Sequence, residues 1–347
     1  MLDWDLVSTA LDHPWTAPPL PGTALTVAAG VRWIRMPLPF ALDHINLWLL
    51  DDDDGVAIVD TGAGLPETRT LWNAVLASEL DGRRVTRVVV THFHPDHMGN
   101  AGWLVERAGV DLWCTDAEWL ASQLAWRTRD AATLERRLVH YRRHGIDGDT
   151  IERFRRRGNH YPALVPTLAP DYRRLADGDA LMIGGRRWDV FTVHGHAPDH
   201  ACLWSREDDV LISGDQVLPK ITTNVSVWPD RPRDNPLRQY LDSLARFEPL
   251  AGDTLVLPSH GLPFRGLHAR LATLRRHHEG RLRETIGALD APRTGAELIP
   301  ILFRRPLDVH QLGFAIGEVL AHLHLLEADG AVLRFTGADE VDRFRRA

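Results

Sequence analysis

The sequence predicts a layered α/β (α+β) fold, on two observations. Short apolar runs rich in β-branched residues alternate with stretches of helical periodicity, in the order strand, strand, helix, strand from the first third of the chain onward. Five of those runs end alike, with a His or Asp at the strand end and a Gly close by: at Asp60, at 92–97, at 196, at 215 and at 260. If those ends meet on one edge of the sheets, they make one site.

Composition sets the frame. A chain of 347 residues holds two domains or one large one, and buries a core without disulfide staples. The net charge of −7 gives no electrostatic reason to expect nucleic acid or an anionic membrane as partner. Cys114 and Cys202 belong to no C-x-x-C pair and read as small buried hydrophobes. The opening stretch, MLDWDLVSTALDHPW, is acidic and lacks the apolar centre of a secretory signal. No apolar run reaches the roughly 20 residues that span a bilayer. The expectation is a cytoplasmic protein.

In chain order, residues 1–30 are punctuated by Pro and Gly and predict an irregular arm. Val31 to Met36 alternates as a half-exposed strand does. Asn46 to Leu50 and Val56 to Val59 flank the acidic run Asp51 to Asp54 and predict a hairpin with a solvated turn. Pro66 to Leu80 has helical spacing, and Val85 to Val90 is a buried strand. Ala101 to Ala108 reads as a helix and Val110 to Cys114 as a strand. Residues 116–160 lose β character and predict a helical insertion of two or three helices. Its apolar positions are Trp119, Leu120, Leu124, Leu134 and Leu138, and Asp149 with Glu152 has capping-box spacing. This insertion carries ten arginines against seven acids, which suits a lid meeting an anionic substrate group. Strands follow at 172–175, 180–183, 187–193, 201–204, 210–212 and 254–257. Helices are predicted over 236–247 and 268–289.

The chemistry is concentrated in Thr91 to Asn100, THFHPDHMGN. His92, His94, Asp96 and His97 place four donors within six residues, on the loop leaving a strand. Imidazole and carboxylate together suit Zn²⁺ and similar first-row ions. His196, Asp215 and His260, at other strand ends, would join them in one site if those ends meet.

In motif order and spacing, Asp60, the H-x-H-x-D-H cluster, His196, Asp215 and His260 resemble the metallo-β-lactamase-fold hydrolases, over roughly residues 31–280. The resemblance implies an αββα sandwich with its site on the loops at one edge. It implies that His92, His94 and His196 hold one metal, that Asp96, His97 and His260 hold the second, and that Asp215 bridges them. Asp60 and His200 would support the ligands from behind, and Asp96 and Asp215 would be the catalytic carboxylates. The cofactor expected is two Zn²⁺, with Fe or Mn as alternatives in either site. The activity implied is hydrolysis of an ester, thioester or lactone by a metal-bridging hydroxide. A β-lactam is less favoured, because dedicated β-lactamases are usually exported. His160 and Tyr161, closing the insertion, and Asn224, shortly after Asp215, are candidates for the substrate pocket. His44 and His194 are further loop histidines near the motifs.

Residues 1–290 are thus read as the catalytic domain and 291–347 as a small second domain. There Pro292 breaks the preceding helix, and Thr294 with Glu297 has capping-box spacing. Helices to about Phe303 and over 311–329 precede a strand at 331–335. The stretch AHLHLLEADGAVLRF is similar to the winged-helix domain of the beta-lactamase-like protein 2 branch, which includes endoribonucleases. Seven arginines, no lysine and eight acids in this segment argue against a phosphate-tracking surface. The expectation is a packing or homodimerising element that walls the cleft, with a small-molecule substrate. The alternatives are a metal-dependent endoribonuclease of that branch, and a glyoxalase II-like or persulfide dioxygenase-like enzyme.

Overall fold

A computed structural model describes residues 11–347, so the reading of the first ten residues lies outside it. The chain begins with an antiparallel meander of β1 (Leu25–Ala28), β2 (Val31–Pro37), β3 (His44–Asp52) and β4 (Gly55–Val59). β1 lies within the stretch expected as an irregular arm, where Leu25 and Thr26 pair with Trp33 and Arg32. The acidic run is also not all turn. Asp51 and Asp52 extend β3 because Arg32 and Arg87 neutralise them, at 2.9 and 3.0 Å. Only Asp53 and Asp54 are left at the tip.

Helix α1 (Pro66–Ser78) crosses to β5 (Arg84–Val89), which runs parallel to β4. The single turn α2 (Pro95–Met98) and α3 (Ala101–Ala108) lead to β6 (Leu112–Thr115). The insertion has three full helices, α4 (Asp116–Arg127), α5 (Ala131–Arg143) and α6 (Gly148–Arg157), and the turn α7 (Tyr161–Leu164). Strand β7 (Arg173–Leu175) then completes a seven-stranded sheet in sequence order, β1 to β7. At Asp177-Gly178-Asp179 the chain passes to the second sheet. This contains β8 (Ala180–Ile183), β9 (Arg186–Val193), β10 (His200–Ser205), β11 (Val210–Gly214) and β12 (Leu255–Pro258), in the order β12-β11-β10-β9-β8. Helices α8 (Pro236–Leu244) and α9 (Leu267–Gly287) flank β12 in sequence. The expected helix 236–247 ends at Leu244 and finishes as a 3₁₀ turn.

Between the sheets lie Trp33, Trp48, Val59, Leu203, Ile212 and Leu257, all fully buried. Trp72, Val75 and Leu104 from α1 and α3 cover the first sheet outside. Tyr240 and Leu271, from α8 and α9, cover the second. This is the αββα sandwich. In β4 and β5, and in β9, β11 and β12, the strands point the same way within each sheet. Their C-terminal ends carry Asp60, the 92–97 cluster, His196, Asp215 and His260, so topology delivers the motifs to one edge.

Two local expectations are corrected in the insertion. Leu120 and Leu124 are exposed, whereas Glu118, Ser122 and Gln123 are buried. On that face Glu118 meets backbone donors of the site loops, and Ser122 donates back to the Trp119 carbonyl. The cap of α6 is Asp147, accepting from the Thr150 N–H, and Glu152 pairs instead with Arg155 and Arg156.

The C-terminal segment contains α10 (Gly295–Leu302), with the Thr294/Glu297 capping box in place, and α11 (Val309–Ala328). A hairpin follows, of β13 (Val332–Thr336) and a second strand, β14 (Asp342–Arg346), that the sequence reading did not identify. Leu298, Ile316 and Leu320 share one apolar cluster with α8, α9 and the second sheet. No helix among the described residues is long and apolar enough to cross a membrane.

Candidate metal centre

Pro95 at the first position of α2 starts a turn directly after His94, so His94, Asp96 and His97 leave the backbone in three directions. Gly99 is required behind them: a Cβ there would lie 2.5 Å from the Gly62 carbonyl oxygen. Asn100 then ties the motif to the β4 end, its amide donating to the carbonyls of Thr61, Gly62 and Ala63.

The seven donors converge. His92 Nε2 is 3.0 Å from His94 Nδ1 and 3.2 Å from His196 Nε2. Asp215 Oδ2 is 3.4 Å from His196 Nε2, while its Oδ1 is 3.4 Å from His260 Nε2 and 3.5 Å from His97 Nε2. Asp96 Oδ2 is 3.5 Å from His260 Nε2 and 3.8 Å from His97 Nε2. His92, His94 and His196 form one ligand-spaced group, and Asp96, His97 and His260 another. The carboxylate of Asp215 stands between them.

Tautomers follow from what the other ring nitrogens touch. His97 Nδ1 donates to Asp60 Oδ2 at 2.8 Å, His196 Nδ1 to the Asn224 carbonyl at 2.8 Å, and His260 Nδ1 to the His44 carbonyl at 2.7 Å. His92 Nδ1 faces Thr91 Oγ1, which itself donates to Asp60. With those partners, neutral His92 and His196 each turn an Nε2 lone pair inward, and two lone pairs 3.2 Å apart repel unless a cation lies between them. His97 Nε2 and Asp215 Oδ1 are buried and make no hydrogen bond of good geometry among the described residues. The charges agree. Burial and the neighbouring histidines hold His92 neutral, and push His94 down to about 3. Burial opposes charge on His97 and His260, but Asp60, Asp96 and Asp215 overcome it, lifting His97 well up and His260 to about 10. The carboxylate half of the pocket demands positive charge and the imidazole half offers neutral donors. Two divalent ions meet both conditions.

The supporting residues sit as the motif pattern implies. Asp60, fully buried and at φ 62°, also accepts the Thr91 N–H at 2.8 Å. His200 Nε2 accepts the Asp215 N–H at 3.1 Å. Gly214 makes room for that imidazole, since a Cβ there would lie 2.2 Å from it.

Sequence reasoning missed Glu118. From α4, its Oε2 accepts the Phe93 N–H at 2.8 Å and its Oε1 the Asp199 N–H at 2.6 Å. One buried carboxylate thus clamps the loop of His92 and His94 to the loop of His196 and His200. Burial lifts its pKa to about 7, against the pull of the two N–H donors. Its only sequence signal was polarity on the inward side of a helix. Glu118→Gln exchanges one acceptor for a donor facing an N–H. Metal affinity, read by chelator competition, is expected to fall about 10- to 100-fold with the circular dichroism spectrum retained. Unchanged affinity would remove the clamp from the account.

The substrate candidates divide. Tyr161 packs its ring on Phe93 and donates its hydroxyl to the Phe93 carbonyl at 2.6 Å, so it braces the ligand loop. His160, beside it, is exposed. The Asn224 carboxamide accepts from Ser226 Oγ at 2.7 Å, and it is its backbone carbonyl that serves the site, through His196. His194 turns outward, toward the Pro198 carbonyl and Asp199. His44 accepts the Gly261 N–H with Nε2, holding the His260 loop.

Residues 41–260 match the family described as the Metallo-beta-lactamase superfamily. The chain belongs to the metallo-β-lactamase superfamily. Residues 282–347 match its Metallo-beta-lactamase-like, C-terminal domain. A beta-lactamase domain protein from Burkholderia ambifaria is 48% identical in sequence, with a TM-score of 0.91 over 97% of this chain and 98% of that one. The probable metallo-hydrolase YqjP of Bacillus subtilis is 24% identical over 87% of this chain and 93% of its own. The beta-lactamase-like protein 2 homolog of Caenorhabditis elegans is 26% identical over 73% and 68%. Human acyl-coenzyme A thioesterase MBLAC2 is 29% identical over 54% and 63%. With its donor clusters intact, this chain is a metal-dependent hydrolase of the superfamily, and its buried clusters are those of a dinuclear site.

Proposed function

We propose that this enzyme is a dinuclear zinc hydrolase that cleaves an ester, thioester or lactone. The observation that carries the reading is the position of Asp215, whose two oxygens are shared between a three-histidine group and an Asp-His-His group. An ion pair held there supplies Lewis acidity at a carbonyl and a water of lowered pKa.

The chain does the rest. Asp96 has a side-chain exposure of 17%, against 10% for Asp215 and 1% for Asp60, so it is the site carboxylate open to the mouth. It takes the proton of the attacking water. Aromatic rings stand on the segments next to the ligands: Phe93, between His92 and His94, stacks on Tyr161, and Trp228, on the segment that follows Asn224, meets Phe314 edge-on at 5.7 Å. Phe40 lies on the loop that ends at His44. Such walls suit an acyl chain and exclude water from it. The thioesterase relative supports an acyl substrate. The acid balance of the C-terminal segment weighs against the endoribonuclease reading, and two complete donor groups weigh against a single-iron dioxygenase.

A panel of acyl-thioesters, p-nitrophenyl esters and lactones, run on metal-quantified protein, tests this. Expected are about two zinc ions per chain and acyl hydrolysis that chelation removes and zinc restores. One iron without zinc would overturn the reading. So would RNA cleavage, lost in Asp96→Ala, with no acyl hydrolysis on the panel.

A further inference from the structure

Three nitrogen side chains on segments next to the ligand loops make no side-chain hydrogen bond among the described residues. Arg157 ends α6, and Gly158 (φ 61°) turns the chain back. Asn159 holds that turn, donating to the Ala125 and Thr128 carbonyls and accepting the Tyr161 N–H at 2.9 Å. His160 is therefore fixed next to Tyr161, which is bonded to the ligand loop. From the opposite wall comes His310, at the second position of α11, edge-on to Phe40 at 5.4 Å and 4.8 Å from Phe314. Helices α6 and α11 are in contact, and Arg157 and His160 both bear electrostatically on His310, and Arg157 on His160, so the three lie in one neighbourhood.

On the same helix, Arg155 pairs with Glu135 and Glu152, and Arg156 with Glu152, whereas Arg153 and Arg157 pair with no carboxylate among the described residues; Arg153 is exposed and Arg157 is not. Arg157 is half-buried, and burial lowers its pKa. Yet among the described residues no carboxylate or carbonyl bonds it. Asp308, the carboxylate that acts on it from α11, is spent capping that helix, accepting the Gln311 N–H at 2.8 Å. Neither imidazole has a side-chain hydrogen bond among the described residues. A partly desolvated guanidinium without a counter-charge is unfavourable, and it persists where a ligand supplies the charge.

We propose that Arg157, His160 and His310 form an anion subsite, and that the natural acyl substrate carries a carboxylate or phosphate remote from the scissile carbonyl. The guanidinium gives a bidentate fork and each imidazole one N–H. Phe40 and Phe314 touch His310, and Tyr161, next to His160, stacks on Phe93 of the ligand loop, so the surroundings of the subsite are apolar. The inference rests on the acyl-hydrolase reading above and adds to it the substrate's charge.

Matched substrates test it. p-Nitrophenyl butyrate is compared with the p-nitrophenyl monoester of glutaric acid, and S-acetyl pantetheine with its 4′-phosphate. Wild type is expected to favour the anionic member of at least one pair by about 10-fold or more in kcat/KM. The pair that shows it distinguishes carboxylate from phosphate. Arg157→Gln should erase that preference through KM and leave the neutral substrates unchanged, with Arg157→Lys retaining part of it and His310→Gln losing less. Equal losses on neutral and anionic members, or no preference in wild type, would overturn the subsite. Should no member be hydrolysed, the hydrolase reading falls but the subsite is still measured. Binding of glutarate and of pyrophosphate to the metal-loaded protein, followed by tryptophan fluorescence, should weaken about 10-fold in Arg157→Gln for the anion that the subsite takes. Equal affinity in the two proteins for both anions would sink it.

Discussion

Asp215→Ala is expected to lower kcat/KM by at least about 10³-fold, which corresponds to about 4 kcal/mol of transition-state stabilisation. Metal content should fall below two per chain in the same protein. The size follows from geometry. Asp215 is the carboxylate that approaches both donor groups, so its loss weakens the two together, whereas loss of His94 or His260 weakens one. It is also the charge that, with Asp96, lifts His260. The fold should survive, because the loop is held by backbone contacts independent of that side chain: His200 accepts the Asp215 N–H, and the Ser259 N–H donates to the Gly214 carbonyl. Asp215→Asn, which keeps the shape and removes the charge, should lose nearly as much. Metal analysis with steady-state kinetics measures both effects. A variant with two metals and turnover within about 10-fold of wild type would refute the bridging role.

The sandwich and its donors were legible because the signals are local. A β-branched run ending in His or Asp marks a strand that delivers a ligand, and five such ends at one edge follow from parallel strand direction. What was not legible depends on which groups meet across the fold. Glu118 looks like any acid on a helix until the Phe93 and Asp199 N–H groups are placed against it. Leu120 and Leu124 carried the apolar period of α4, but the site loops present backbone donors to the opposite face. Asn224 was singled out for its carboxamide, and the structure uses its carbonyl. Composition gave ten arginines in the insertion without saying which are neutralised; Arg155 and Arg156 are, and Arg157 has no carboxylate partner among the described residues. Asp51 and Asp52 show the same limit, since an acid run becomes strand when Arg32 and Arg87 lie across from it.

Glu118, Leu120, Leu124 and Arg157 all belong to the insertion. The insertion and the C-terminal helices supply little of the metal chemistry, yet they carry Glu118, Tyr161, Arg157, His310 and Phe314. The sheets fix where the ions go, and the added helices fix how rigidly the ligand loops are held and which substrate reaches them. Substrate choice can therefore vary through helical segments whose apolar period says little about their function, while the strand-end motifs stay put.

Acid is expected to unfold the protein well before its carboxylates titrate as a group, and the cause lies away from the metals. His140, His144, His278 and His322 are all buried where α5, α9 and α11 meet the core. Burial is the main cause of their low pKa values, with His324 acting on His140 and His140 on His144. His140 and His322 are brought down to about 4 and His144 to about 3. Each is neutral in the native state, and each takes a proton near pH 6.5 in the unfolded chain. Their contribution to stability is complete above pH 6.5 and is lost as pH falls from there toward 4. Over that window each costs about 1.4 kcal/mol per pH unit, and His140 alone on the order of 3 kcal/mol. His140→Phe tests the assignment. The ring that replaces it carries no titrating nitrogen, and His140 Nε2 has no hydrogen-bond partner to lose. Metal release in acid weakens both proteins alike, so the difference between them isolates the histidine. Urea midpoints measured from pH 8 to 4.5 should fall less steeply in His140→Phe below pH 6.5, with little change at pH 8. Parallel curves would place the acid sensitivity at the ligands, because a histidine that takes its proton at the same pH in both states contributes no slope.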